Sequence, residues 1–348
     1  MQFGMFDEVN AVEGRTPAQV YDDHLRQIVL SEELGFTSYW FAEHHFDTYR
    51  MAPHPNLLIA AAARETTRLQ LGNMVTVLPF HNPVRVAEEQ SMLDHLTGGR
   101  LQVGIGRGVQ PPEFRRLHVE MRESRQMFEE SYEALVQLWT APPATFTGRY
   151  WSFEDVRLMP PPLQRPHPPL WVAGLSEHSA HWTAERGLPY VTIFMTPDEF
   201  ERMGNRYRTA FRPSPQLAAP SMGIARHVYV AETDARAREE VGFVYNRLFR
   251  HWLDVALVDD SIVDDSYKPN QRMHARLGRM NLDDLLAEGY LVFGSPETCR
   301  RQVADLAHRG ADFLLAWMSP HDVPPELVTK SLRLFAREVM PAFAPVTP

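Results

Sequence analysis

Hydrophobic positions along this chain fall into two alternating rhythms. Short, nearly continuous apolar runs at 2–7, 37–41, 69–78, 100–106, 170–173, 190–194, 224–230 and 313–318 read as buried strands. Between them, apolar residues recur three or four apart, the spacing of a helix with one buried face; Tyr21, Leu25, Ile28 and Val29 are one such set. The breaks carry helix start signals. Thr16 with Gln19, and Thr196 with Glu199, form capping boxes followed by Pro17 and Pro197 at the first helical position. Asn82, Ser176, Thr233 and Ser295 stand where further caps are needed, and 55–64 and 124–139 read as helices. Gly35, Gly98, Gly99 and Gly310 stand where helices stop.

Strand and helix alternate about eight times, which predicts parallel strands joined by crossover helices. Eight such units in 348 residues suit a (β/α)8 barrel of the TIM type with insertions, spanning 1–348 as a single domain. An open doubly wound sheet is the alternative, since periodicity does not reveal closure. Two stretches interrupt the rhythm. At about 141–169 a hairpin over 145–151, turning at Gly148, precedes a proline-dense segment unable to form a helix or central strand. At about 258–287 an acidic run (Asp259, Asp260, Asp264, Asp265) is followed by a basic one (Lys268, Arg272, Arg276, Arg279). That stretch is expected to be a long loop, of the kind that serves as a lid.

Composition narrows the function. The formal net charge of −9 argues against a nucleic-acid partner. One cysteine, Cys299, excludes an internal disulfide and a thiolate metal cage. No apolar run approaches the ~20 residues a membrane span needs, and no signal peptide is evident, so the expected location is cytoplasmic.

Candidate chemistry gathers at strand ends. The stretch 37–47, TSYWFAEHHFD, runs from an aromatic strand straight into Glu43, His44 and His45. Polar groups at the carboxyl end of a parallel strand are where such sheets build active sites. A histidine there suits proton transfer. Metal binding is not expected. Consecutive residues on extended backbone face opposite ways, so His44 and His45 do not share an ion. No HExxH is present, and His54, His81 and Asp94 form no obvious remaining set. The segment QVGIGRG (102–108) sets Arg107 among glycines at another strand end, a disposition that suits an anion. Ser176 and Ser179 open a helix whose free N–H groups attract phosphate, and Arg107 and Arg125 are available to complete such a site. There is no GxGxxG fingerprint and no GxSxG elbow. Phe6, Phe46, Phe114, Phe194 and Trp252 are aromatic candidates for a pocket lining.

Taken together, MQFGMF, SEELGF, YWFAEHHF, LGNMVTVLPFHNPVRVAEE, LDHLTGGRLQVGIGRG, WVAGLSEHSAHW, ERGLPY and VFGSPETC resemble the bacterial luciferase-like flavin monooxygenases, and within them the alkanal-oxidising α subunit more than the β subunit. The resemblance implies a barrel holding reduced FMN (FMNH2) at the carboxyl ends of its strands. It implies a separate flavin reductase as partner, a homodimer paired through helices near the start of the chain, and oxygen chemistry through a flavin peroxide on a small organic substrate such as an aldehyde or other carbonyl compound. It assigns His44 as catalytic acid or base. It places Glu43, Glu88 and a non-proline cis peptide at Met74–Val75 around the flavin ring, and Arg107, Arg125, Ser176 and Ser179 on the phosphate. Two departures stand out: Gly106 replaces a cysteine of the luminescent α subunits, and Met74 and Val75 replace two alanines. A deazaflavin-dependent hydride-transfer enzyme and a non-catalytic flavin-binding subunit are the alternatives.

Overall fold

The computed structural model describes residues 1–253 and 265–343. Eight parallel strands close into a barrel: β1 (Gln2–Asp7), β2 (Ser38–Phe41), β3 (Gln70–Val77), β4 (Leu101–Gly106), β7 (Leu170–Ala173), β8 (Tyr190–Thr192), β9 (Met222–Val230) and β11 (Phe313–Trp317). Each lies beside the next in that order, β8 pairs with β9, and β11 pairs with both β9 and β1, so no edge remains open. These are the eight apolar runs of the sequence, and closure decides between the barrel and the open sheet.

The helices that cover the barrel begin where the caps predicted. In α1 (Pro17–Glu33) the Thr16 and Gln19 side chains satisfy each other's backbone N–H groups. The same reciprocal capping opens α6 (Glu177–Glu185) at Ser176 and Ser179, and α7 (Pro197–Ala210) at Thr196 and Glu199. Single caps at Asn82, Thr233 and Ser295 open α3 (Pro83–Leu96), α8 (Asp234–Tyr245) and α11 (Pro296–His308). Helix α2 (Pro55–Glu65) and helix α5 (Ser124–Thr140) follow the boundaries read from sequence to within a residue. The last helix, α12 (Pro325–Glu338), packs against β9 and α1.

One end of the barrel is plugged by aromatic rings. Trp40, Trp171 and Phe313 pack edge-on or tilted with ring centroids 5.4–6.5 Å apart in the interior. Gly72 makes room for them: a Cβ there would meet the Trp40 ring at 2.9 Å and the Gln102 carbonyl at 2.5 Å. The interior is therefore a packed core, and a site has space at the other end, past the strand carboxyl termini.

Both insertions differ in detail from expectation. The hairpin is β5 (Ala144–Thr147) with β6 (Ser152–Val156), and the turn occupies the residues between, so the second strand starts later than read. Glu130 on α5 holds that turn by accepting the N–H groups of Arg149, Tyr150 and Trp151. In the second insertion, residues 258–264 lie outside the described residues. From Lys268 onward the expected loop is helical: α9 (Lys268–Leu277) and α10 (Leu282–Ala287), the latter with an Asn281–Asp284 capping box. The charge run hid an amphipathic pattern in which His274 and Leu277 are the buried positions of α9. Two further elements escaped the sequence reading. Helix α4 (Pro111–Arg116) follows β4, and β10 (Leu291–Gly294) extends the sheet by pairing with the far half of β9. Among the described residues, no helix is long and apolar enough to cross a membrane.

Candidate active site

The carboxyl ends of the strands surround an open cleft of roughly 1210 Å³, the solvent at its mouth included. Glu8 follows β1, Glu43 and His44 follow β2, Arg107 follows β4, Gly174 to Ser176 follow β7, and Phe194 follows β8; all line it. Tyr267, Asn270 and His274 close one side, so the second insertion contributes a wall. Most of the lining is apolar, with Phe6, Met74, Val75, Trp252 and Trp317 prominent, and a few polar groups converge within it.

His44 is the centre of the polar set. Its Nδ1 stands 3.1 Å from Glu113 Oε1, and its Nε2 stands 3.5 Å from Glu8 Oε1. Glu113 comes from α4 and also accepts the His45 backbone N–H at 2.8 Å, which fixes how the chain leaves β2. Glu8 is anchored by the buried Arg50, whose Nε lies 3.0 Å from its Oε2, and Arg50 also reaches Asp47. Burial and the Arg50 guanidinium oppose a charge on His44; Glu113 and Glu8 outweigh them and push its pKa up to about 9. Burial opposes the charge on Glu8 too, but Arg50 and His44 hold its carboxyl down at about 2. At neutral pH this is an imidazolium between two carboxylates, a proton donor rather than a vacant base. The nearby His274 is the reverse case: burial pushes its pKa down to about 3 and keeps it neutral.

The same cleft also holds an anion-friendly set. Arg107 donates to Ser124 Oγ at 2.8 Å and Ser266 Oγ at 2.9 Å, and its guanidinium lies over the Tyr267 ring. The amino terminus of α6, with Ser176 and Ser179, faces the same space, and the Tyr190 hydroxyl stands 3.1 Å from Ser179 Oγ. Between these sets, the Met74–Val75 peptide is cis, and the β3–β4 register shifts across it.

Of the departures noted in the sequence, those at Gly106 and Val75 are coupled. A Cβ at Gly106 would lie 2.5 Å from Val75 Cγ2, so the valine occupies the space a side chain at 106 would need. A cysteine is accommodated there only with a smaller neighbour at 75.

Of the residues singled out in the sequence, Glu43, His44, Met74, Val75, Arg107, Ser176 and Ser179 line the cleft. Glu88 does not; it lies on the outer face of α3 in an exposed pair with Arg85. Arg125 sits at the start of α5, beside Ser124 but outside the lining. Of the aromatic candidates, Phe6, Phe194 and Trp252 line the cleft. Phe46 is 54% exposed, and Phe114 packs in a small separate cluster with Met121 and Tyr267. Sequence reasoning missed Glu8, Glu113 and Arg50. Glu8 obeys the same strand-end rule that drew attention to Glu43, applied to β1; Glu113 sits on the unforeseen α4.

Glu43 itself turns away from His44. Its Oε2 accepts the Val77 N–H at 3.0 Å, and its Oε1 is met by both His45 Nε2 and His81 Nε2. The expectation that His44 and His45 diverge holds, but His81 and Glu43 come together with His45 to form a set the sequence reading had dismissed.

The profile of the luciferase-like monooxygenases matches residues 1–312. The chain belongs to this family. It is similar to the oxygenase component of the flavin-dependent trigonelline monooxygenase of Acinetobacter baylyi, 29% identical over 254 residues, 71% of this chain and 70% of that one. An alkanal monooxygenase α chain of Photorhabdus luminescens is 25% identical over 325 residues, 90% of this chain and 88% of that one. The oxygenating constituent of 3,6-diketocamphane monooxygenase from Pseudomonas putida, solved in complex with FMN, superposes with a TM-score of 0.79 over 98% of each chain at 24% identity, a likeness of fold. This chain is thus a luciferase-like, flavin-dependent monooxygenase by family, with the family's barrel.

Proposed function

We propose that this chain is the oxygenase component of a two-component system: it takes FMNH2 from a separate reductase and uses O2 to oxidise a small organic substrate, an aldehyde or other carbonyl compound. The observation that carries this reading is the placement of a charged His44, held between Glu8 and Glu113, on the rim of a cleft that also offers an anion site. The cleft fits a flavin mononucleotide. Arg107 and the amino terminus of α6 suit a terminal phosphate, and the apolar wall at Met74–Val75 suits a flat ring. Arg107, Ser176 and Ser179 would hold the phosphate; Met74, Val75 and Glu43 would border the ring. Glu88 and Arg125 are left out of this set.

When bound, reduced flavin would supply the two electrons that O2 activation needs, one oxygen atom going to the substrate and the other leaving as water. The protein's own share is to orient, to exclude water and to deliver a proton. His44 does the last: Nδ1–H is engaged by Glu113, and Nε2–H, whose carboxylate neighbour is a long 3.5 Å away, is the proton offered to the reacting oxygen. Homodimerisation belongs to the same reading. Leu57 on α2 and Met92 and Leu96 on α3 are 73%, 53% and 47% exposed, an apolar face suited to a second copy.

The deciding experiment is anaerobic titration with FMNH2 and with a reduced deazaflavin, followed by oxygen and mass spectrometry of products from an aldehyde and ketone panel. Saturable FMNH2 binding with an added oxygen atom in a product is expected. Binding of the deazaflavin alone would overturn the reading.

A further inference from the structure

Behind the cleft, three side chains from different segments aim their ligating atoms at one point. Glu43 lies two residues past β2, His45 four residues past it, and His81 ends the short 3-10 turn Leu78–Phe80 that follows β3. His45 Nε2 and His81 Nε2 stand 2.9 and 2.7 Å from the same oxygen, Glu43 Oε1, and all three atoms lie within 4.8 Å of one another. Among the described residues this is the one group of three or more such side chains that converges in this way.

We propose that Glu43, His45 and His81 form a binding site for a divalent first-row transition ion of the zinc type, beside the flavin cleft that Glu43 also lines. Two imidazoles and one carboxylate are a common donor set for such ions. The geometry needs little change. Around an ion with bonds of about 2.0–2.1 Å, neighbouring tetrahedral ligand atoms are roughly 3.3 Å apart. The two N–O separations must therefore open by about half an ångström, and the two nitrogens, within 4.8 Å of each other, must settle at the same spacing. Neither ring is locked against it. In both, Nδ1 has no hydrogen-bond partner among the described residues, and both side chains are partly exposed, at 11% and 27%. Each ring can carry its proton on Nδ1 and present the Nε2 lone pair. The carboxylate is already oriented by the Val77 N–H on its other oxygen, the kind of outer hydrogen bond that tunes metal ligands. A solvent-facing hollow lined by Glu43, His81, His54 and Glu89 gives an ion a way in, and water completes the coordination. An ion there would tie the ends of β2 and β3 together behind the Met74–Val75 wall.

The test needs no flavin and no substrate, so it stands or falls apart from the oxygenase reading. The full-length protein is stripped with a chelator and titrated with Co2+, read by its visible d–d absorption, and with Zn2+ against a chromophoric chelator. One ion per chain is expected, with a Kd on the order of 1 μM or tighter. His45→Gln and His81→Gln, each checked for fold by circular dichroism, are expected to weaken binding at least ~100-fold. Zinc is also expected to raise the melting temperature of the wild type and not of the variants. The proposal is overturned if the wild type takes up no stoichiometric ion at about 100 μM metal. It is equally overturned if both variants bind as the wild type does, which would place the ion elsewhere.

Discussion

His44 and His45 are neighbours in sequence, leave the same strand, and enter two different worlds. His44 turns into the cleft and meets Glu8, Glu113 and, behind them, Arg50. His45 turns outward and shares Glu43 with His81. The first network is closed: Arg50 and both carboxylates are at most 6% exposed, and charge is balanced inside it. The second is open to solvent on the His81 side. A buried, balanced network fixes a protonation state; a partly wet one leaves its protons exchangeable. The difference teaches that a His-His pair is not a unit of function, and that what each imidazole does is set by the segments that come to meet it.

The comparison breaks most severely at His44. If its charged ring delivers the proton, His44→Ala should lower kcat/KM for oxygen-dependent product formation by about 10²- to 10⁴-fold, measured with saturating FMNH2. Wild-type rates in that variant would move the chemistry elsewhere in the cleft. Next is Glu8→Gln. It leaves the buried Arg50 with Asp47 as its one carboxylate, and should cost about 3 kcal/mol in urea denaturation. Gly106→Ala should cost about 1–3 kcal/mol through overlap with Val75, and Val75→Ala should relieve most of that in the double variant. Simple additivity would show that the two positions do not share space.

The gentlest test uses pH. Because folding raises the His44 pKa from 6.5 to about 9, its contribution to stability is complete below about pH 6.5 and is lost as pH rises through 9. A rate that depends on the imidazolium should be flat to about pH 8 and fall tenfold per unit well above 9. In Glu8→Gln the inflection should move down. A rate that instead rises through pH 9 would identify His44 as a base.

Much of the barrel was readable because its signals are local. Eight apolar runs and the caps at Thr16, Asn82, Ser176, Thr196, Thr233 and Ser295 each lie within a few residues of what they specify. Strand β10 is a four-residue run running into the Ser295 cap, too short to register beside it. Helix α9 carries its buried positions inside a charge run, which masked them. The site was readable as far as single strand ends go: His44, Arg107, Ser176 and Ser179 were named from position alone. What was not readable is contact across the chain. Glu113 lies 69 residues from His44, and His81 lies 38 from Glu43; no spacing rule links them. Glu88 shows the converse. Its local motif matched, but its helical phase turns it to solvent.

The reciprocal fit of Gly106 and Val75 also constrains how this pocket can change over generations. A larger residue at 106 is admissible only in a lineage that has already trimmed position 75, so the substitutions have an order. Directed libraries that vary the two positions one at a time would discard the productive combination, and paired libraries would recover it.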